Sequence, residues 1–249
     1  MAINVNTVYK TVLLLLNKEQ RGYMTPTEFD SIANQVQLEI FEQYLSDLNQ
    51  QLRAKQTDVD YADRVENVDE KLSVFKTFGA ATYVASAPAT TGPAHFTLPT
   101  IDAFGINSPL YQLGVAVYKP AVGYPAEIQR LGRTEFYNIQ KSDLTAPSIY
   151  SPVYLYENNQ LFVSPSSITS NLEVNYIRTP RDVTWGFIPG SLGQYVYDYN
   201  GSSDFELMPS EQTTVILKVL FYAGVIIEDP TVIQVAAQQV QSQENNQKT

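Results

Sequence analysis

Apolar side chains at Val5, Val8, Tyr9, Val12, Leu13 and Leu16 recur at three- and four-residue steps, which predicts a helix over 3–16. The stretch Asn17–Met24 breaks the pattern, with Gly22 as its turn residue. Thr25-Pro26-Thr27-Glu28 then reads as a helix start: Thr25 caps, Pro26 fits the first helical position and Glu28 closes a capping box. Behind it Phe29, Ile32, Val36, Ile40, Phe41, Tyr44, Leu48 and Leu52 form one apolar stripe, predicting a helix of about thirty residues. Glu39, Glu42, Gln43, Asp47 and Gln50 fall on its wetter faces. Residues 56–70 are acidic and poor in apolar side chains, and predict a loop; 68–78 predict a short helix or an extended entry into a β region.

From there the period changes. Residues 80–124, rich in Pro, Thr, Ala and Gly, predict a long irregular arm with strands near Ala81–Ala85, Ala94–Leu98 and Tyr111–Val117. Ala126–Leu131 predicts a strand and Arg133–Lys141 a short helix. Val153–Glu157 and Gln160–Ser164 flank Asn158-Asn159, a two-residue hairpin turn that suits asparagine because it tolerates positive φ. Over Asn171–Arg178 the apolar Leu172, Val174 and Tyr176 alternate with Glu173, Asn175 and Ile177, as a half-buried strand does. Residues 186–205 predict a loop in which Tyr195, Tyr197 and Tyr199 alternate. A helix opens at Pro209 or Ser210 and turns Val215, Ile216, Val219, Leu220, Ala223 and Ile227 inward. Asp229-Pro230 stops it and starts another over Thr231–Val240, ending in a Gln-rich tail.

These elements predict an α+β chain: a helical bundle from the N- and C-terminal segments, 1–78 and 208–249, with a β-rich insertion over 79–207. The insertion consists of a small antiparallel sheet plus the extended arm.

Charge narrows the partners. The 249 residues carry a formal net charge of −10. Residues 1–80 hold 8 basic and 12 acidic side chains, 81–190 hold 6 and 7, and 191–249 hold 2 and 7. No run presents the basic stripe that tight, sequence-independent DNA binding needs. The acidic balance suits instead a wall past which a polyanion slides. The apolar run Val12–Leu16 is five residues, short of the roughly 7–15 of a secretory signal and the roughly 20 of a membrane span. The chain has no cysteine, which excludes disulfides and thiolate metal sites and fits assembly in a reducing cytoplasm.

Candidate chemistry is sparse. Asp58 to Asp63 resembles the start of a calcium loop, but Asp63 stands where the sharp turn needs glycine and Ala62 where a ligand is needed. His95 is the only histidine and has no carboxylate near it in sequence, which reads as a surface or strand-end residue. The carboxylate pairs Glu39/Glu42, Asp58/Asp60, Asp69/Glu70 and Glu228/Asp229 read as solvated charge rather than as an acid–base pair in a cleft. Gly186 and Gly190 lack the Lys-Ser/Thr of a phosphate loop. The chain is therefore read as a non-enzyme that binds no cofactor or metal. Tyr195, Tyr197 and Tyr199, near Trp185 and Phe187, are candidate interface residues, because tyrosine gives large contact area at low entropy cost. Gln238, Gln239 and Gln243 offer uncharged hydrogen-bonding contacts near the end.

The opening NKEQRGYMTPTEFDSIANQVQLEIFEQYLSDLNQQLR resembles the start of structural proteins of tailed bacteriophages, closest to the crAss-like podophages. The closing EQTTVILKVLFYAGVIIEDPTVIQVAAQQVQSQE and the 125–185 module ending in VNYIRTPRDVTW are similar to the same proteins; the 80–124 arm is not covered. The resemblance implies a head–tail connector: an adaptor subunit that forms a homo-oligomeric ring, a dodecamer, below the portal. It implies portal and tail proteins as partners, DNA passing through the channel without sequence-specific binding, no membrane, and residence in the virion after assembly in the host cytoplasm. A C-terminal segment that docks on the portal is usual there, and 238–249 match it loosely in position and composition. Two other readings remain. One is a different virion part, such as a tail nozzle, tail hub or head-surface protein; its heavier reliance on β structure weighs against it here. The other is a carbohydrate-binding module with Trp185 and the tyrosines as a sugar platform.

Overall fold

The computed structural model describes residues 2–18, 24–53, 60–86, 93–191, 193–226, 238–239 and 241–242. In chain order its helices are α1 (Val5–Lys18), α2 (Pro26–Arg53), α3 (Asp60–Ser73), α4 (Arg133–Ile139) and α5 (Gln212–Ile226), with a 3-10 turn at Pro209–Glu211. Its strands are β1 (Lys76–Ala80), β2 (Thr82–Val84), β3 (His95–Thr97), β4 (Leu110–Tyr118) and β5 (Ala126–Arg130). They continue as β6 (Val153–Glu157), β7 (Gln160–Ser164), β8 (Leu172–Arg178), β9 (Phe187–Pro189) and β10 (Tyr195–Tyr197). They fall into two compact units: residues 1–74 with 180–249, and residues 75–179.

The expected helical bundle with a small sheet is not what the chain builds. It is a mixed α/β protein whose main sheet has eight strands in the order β1-β8-β4-β5-β6-β7-β3-β2. The sheet is barrel-like and nearly closed: its two edge strands, β1 and β2, follow each other in the chain with only Ala81 between them. The arm is not separate from the module. Its strand β4 pairs with both β5 and β8, β3 pairs with β7, and β1 pairs with β8, so one ladder system absorbs both. Two other expectations also fail. Residues 56–70 do not form a loop from Asp60 on, because α3 begins there; over 65–73 the apolar Val65, Val68 and Leu72, at helical steps, are partly or fully buried, with Lys71 beside them. Within 186–205, β9 and β10 pair as an antiparallel hairpin.

In the unit of residues 75–179, the inner face of the sheet buries Phe96, Ala116, Ile128, Tyr154, Leu161, Leu172, Val174 and Tyr176. The alternation in β8 delivers Leu172, Val174, Tyr176 and Arg178 to that side and leaves Glu173, Asn175 and Ile177 less covered. On the other side of β6, α4 sets Phe136 against Val153 and Leu155. The β6–β7 hairpin turns as expected on Asn158 (φ 51°) and Asn159 (φ 57°). The loop after β3 is tied by Asp102, which is 8% exposed. Its Oδ1 accepts N–H bonds from Phe104 (3.0 Å) and Ile106 (2.9 Å), and its Oδ2 accepts the hydroxyls of Thr77 (3.3 Å) and Ser108 (3.0 Å). The Ile106 N–H, with the other donors, holds its carboxyl below the ordinary aspartate range despite the opposing effect of burial.

In the other unit, α2 packs against α3 and α5, and α1 against α5. The capping box forms: Thr25 N–H donates to Glu28 Oε2 (2.8 Å), and Glu28 N–H reaches back to Thr25 Oγ1 (3.4 Å). The chain start is zipped to residue 205, with Ile3 N–H donating to the Phe205 carbonyl (3.2 Å) and Phe205 N–H to that of Ile3 (3.1 Å). Asp204 Oδ1 accepts the Val5 N–H at the head of α1 (2.8 Å).

The segment 181–185 runs along α2; Thr184 bridges Ser203 through two backbone hydrogen bonds, and its edge toward α2 is held by side chains. Gln37 Nε2 donates to the Arg181 carbonyl (2.6 Å), and Gln37 Oε1 accepts the Glu206 N–H (2.9 Å). Asn34 Oδ1 accepts the Val183 N–H (2.6 Å), while Asn34 Nδ2 donates to the Val183 carbonyl (3.1 Å). Asp30 Oδ1 accepts the Trp185 N–H (2.8 Å). Positions 30, 34 and 37 lie on one helix face and meet alternate residues 185, 183 and 181. The spans agree, since seven helical residues rise about 10 Å and four extended ones about 13 Å.

Two outcomes are expected from these ties. Gln37→Leu keeps the volume but strips partners from two partly buried backbone groups, and lowers unfolding free energy by about 2 kcal/mol in urea titration. Asp102 has a lowered folded pKa, so its contribution is present above the unfolded value of about 3.9 and is lost as pH falls through the folded one. The difference in urea midpoint between the native chain and Asp102→Asn is therefore full at pH 6 and closes progressively below about pH 4.

Candidate functional site

The candidate interface tyrosines lie on the β9–β10 hairpin and just beyond it. Register pairs Tyr195 with Pro189, Val196 with Ile188 and Tyr197 with Phe187. Phe187 and Tyr195 meet edge to face at 4.7 Å, while Trp185 stacks on Phe187 at 6.2 Å and tilts against Tyr197 at 5.7 Å. The aromatic row ends in the core, where Tyr9 lies 4.4 Å from Trp185 and 4.9 Å from Phe29. Trp185 is 4% exposed, and its Nε1 donates to Asn6 Oδ1 at 3.2 Å. The indole is thus an anchor that fixes the hairpin's base. Ile188, Val196, Tyr195 and Tyr199 remain exposed on it. Tyr197 is half-buried against Trp185, so the three tyrosines do not form one surface. Gln238 and Gln239 are exposed helical residues, and Gln243 lies outside the described residues, as do Asp229-Pro230 and most of the expected Thr231–Val240 helix.

A second apolar surface, not expected from the sequence, belongs to the unit of residues 75–179. Val122, Tyr124, Leu144 and Tyr150 are each more than 90% exposed on the segments between β4 and β5 and between α4 and β6. The face of β1, β8 and β4 turned away from the core carries an open depression of about 460 Å³ lined by Phe78, Val115 and Ile177 together with Lys76 and Gln112. It exists because β4 is irregular. Register shifts at Gln112 and between Leu113 and Ala116 bulge the strand, and a Cβ on Gly114 would lie 2.8 Å from the Asn175 carbonyl. The signal that could have found it is Gly114 inside an apolar run, which marks a bulge or a close backbone approach.

The ionisable groups pair off as scaffold. Glu39, expected on a wet face, accepts bonds from Lys218 Nζ (2.6 Å) and the Tyr222 hydroxyl (3.1 Å), and Lys218 is 4% exposed. Glu211, also 4% exposed, pairs with Lys71 at 2.7 Å, and the Lys71 ammonium sits 5.3 Å from the Tyr44 ring centroid. Burial, reinforced by the Glu211 charge, pushes the Tyr44 hydroxyl far above its ordinary range. Burial also raises the Asp30 carboxyl, against the pull of the Trp185 N–H. His95 stands at the start of β3 but is buried, its Nδ1 2.9 Å from the Pro93 carbonyl. Among the described residues no three His, Asp or Glu side chains gather as a metal site, and no helix is long and apolar enough to cross a membrane.

Lys71→Met strands the Glu211 carboxylate in the core. The loss is about 2 kcal/mol, below the range for fully buried pairs because Lys71 is a quarter exposed, and the double variant with Glu211→Gln recovers most of it in thermal unfolding. Neither a scan against protein-family models nor a search of curated proteins finds a match to this chain.

Proposed function

We propose that this chain is a virion structural protein: a ring-forming adaptor subunit that connects portal to tail around the DNA channel. The observation that carries the reading is the set of large apolar side chains left almost fully exposed on ordered segments, Val122, Tyr124, Leu144 and Tyr150. Single exposed apolar residues are ordinary, but repeated near-complete exposure on protruding segments suits surfaces covered by other subunits. The resemblance of both ends and of the 125–185 module to phage connector proteins supports the same reading.

Charge supports it as well. Residues 75–179 hold six basic and six acidic side chains, and the remaining residues hold 10 and 20. The whole excess of −10 thus sits in the unit that contains both chain ends. A neutral unit meets its copies without long-range repulsion, while an acidic one suits a passage for DNA.

A second virion reading gains from the eight-stranded sheet. The objection to a tail nozzle, tail hub or head-surface protein is high helix content, and that objection weakens here. Mass photometry of the purified chain, with electron microscopy of particles carrying a labelled copy, separates the readings. The adaptor gives a discrete species near twelve times 27.9 kDa and label at the portal–tail junction. Label elsewhere in the particle favours the second reading. A chain absent from particles and monomeric at every concentration ends both.

A further inference from the structure

We infer that the depression on the outer face of β1, β8 and β4 receives the Val122–Tyr124 knob of a second copy of this chain. The inference rests on the assembly reading above and adds the contact by which copies meet.

The two surfaces fit in kind. The knob lies in Lys119–Pro125, where Val122 and Tyr124 are 92% and 93% exposed. Pro120 and Pro125 bracket it and restrict the free loop, so docking costs less entropy than for an unconstrained one. Its tip, residues 120–126, contains no Asp, Glu, Lys or Arg. The depression is mostly apolar and open to solvent, and about 460 Å³ accommodates the two side chains. Charges are complementary: Lys76 lines the depression and the exposed Glu127 follows the knob.

The two surfaces also lie at opposite ends of one ladder. The depression sits where Leu113 of β4 pairs with Tyr176 of β8, and the knob follows Tyr118, which pairs with Leu172. Four residues of β8, about 13 Å, separate these levels. A knob at one end and a seat at the other make a directional contact, in which each copy gives to one neighbour and receives from the next. Such contacts close into rings when the rotation permits. Tyr124 alone offers up to about 200 Å², against about 800 Å² per partner in a stable interface. Further apolar surface adjoins the seat: Phe104 is 72% exposed, with its ring 5.8 Å from that of Phe78.

The absence of cysteine makes the test direct. Ala121→Cys marks the knob and Gln112→Cys the lining of the seat, both at exposed positions. With a short bis-maleimide, each single variant alone stays uncrosslinked, a mixture of the two gives a dimer, and the double variant gives a ladder beyond the dimer. Adding Tyr124→Ser and Val122→Ser to the double variant abolishes the ladder while circular dichroism and melting stay unchanged. Lys76→Glu and Glu127→Lys each reduce crosslinking several-fold, and together restore it. Crosslinking of either single variant with itself, a double variant that stops at the dimer, or a ladder indifferent to the knob substitutions overturns the inference. A discrete oligomer by mass photometry without these crosslinks overturns it too and leaves the adaptor reading standing. A chain that neither oligomerises nor crosslinks overturns both.

Discussion

One helix face stands in for a missing strand. The extended segment 181–185 presents backbone groups beside α2, and Asp30, Asn34 and Gln37 answer them at alternating residues. Backbone polar groups left unpaired in such a place would each cost about as much as a lost hydrogen bond. Asn34 matters most to this geometry, because a single side chain both accepts from and donates to Val183. By fixing 181–185, the face also positions Trp185, and through it the aromatic row of the β9–β10 hairpin. Gln37 extends the tie to Glu206, beside the Phe205 bridge that holds the chain start. Apolar side chains supply most of the burial in the terminal unit, and the three polar side chains beside the apolar stripe of α2 fix where the extended segment lies.

How much of this is legible in the sequence varies with the range of the interaction. Local chemistry reads well. The Thr25–Glu28 box, the Asn158-Asn159 turn and the alternation of β8 all act within a few residues, and all take the expected form. Long-range pairing does not read. β1 joins β8 across about a hundred residues, β2 and β3 are three residues each, too short for a period, and the bulges in β4 break its alternation. Periodicity alone thus divides one eight-stranded sheet into an arm and a small module. α3 escapes because acidic composition outweighs the spacing of Val65, Val68 and Leu72. The polar stripe at 30, 34 and 37 has a signature too, steps of four and three beside an apolar stripe. It means a buried partner only once that partner is known.

The surfaces divide the same way. Alternating tyrosines stand out in the sequence, yet Tyr197 serves the base of the hairpin and Trp185 the core. Exposure of Val122 and Tyr124 is a matter of where a loop projects, and composition says nothing about that. The separation of charge between the two units becomes visible only when the unit limits at 75 and 179 are known. One unit is neutral with exposed apolar side chains and the other carries the acidic excess.

The hydrogen bonds between Ile3 and Phe205 bear on synthesis. At translation speeds of about 5–20 residues per second, roughly 10–40 s separate the emergence of those partners from a ribosome. The contiguous residues 75–179 are complete about 1–5 s before Phe205 follows and are free to fold first. The sides of α1 and α2 that pack on α5 must wait uncovered until the chain has returned. Nascent copies on one polysome hold such surfaces side by side, and the interval is one in which a chaperone has something to grasp.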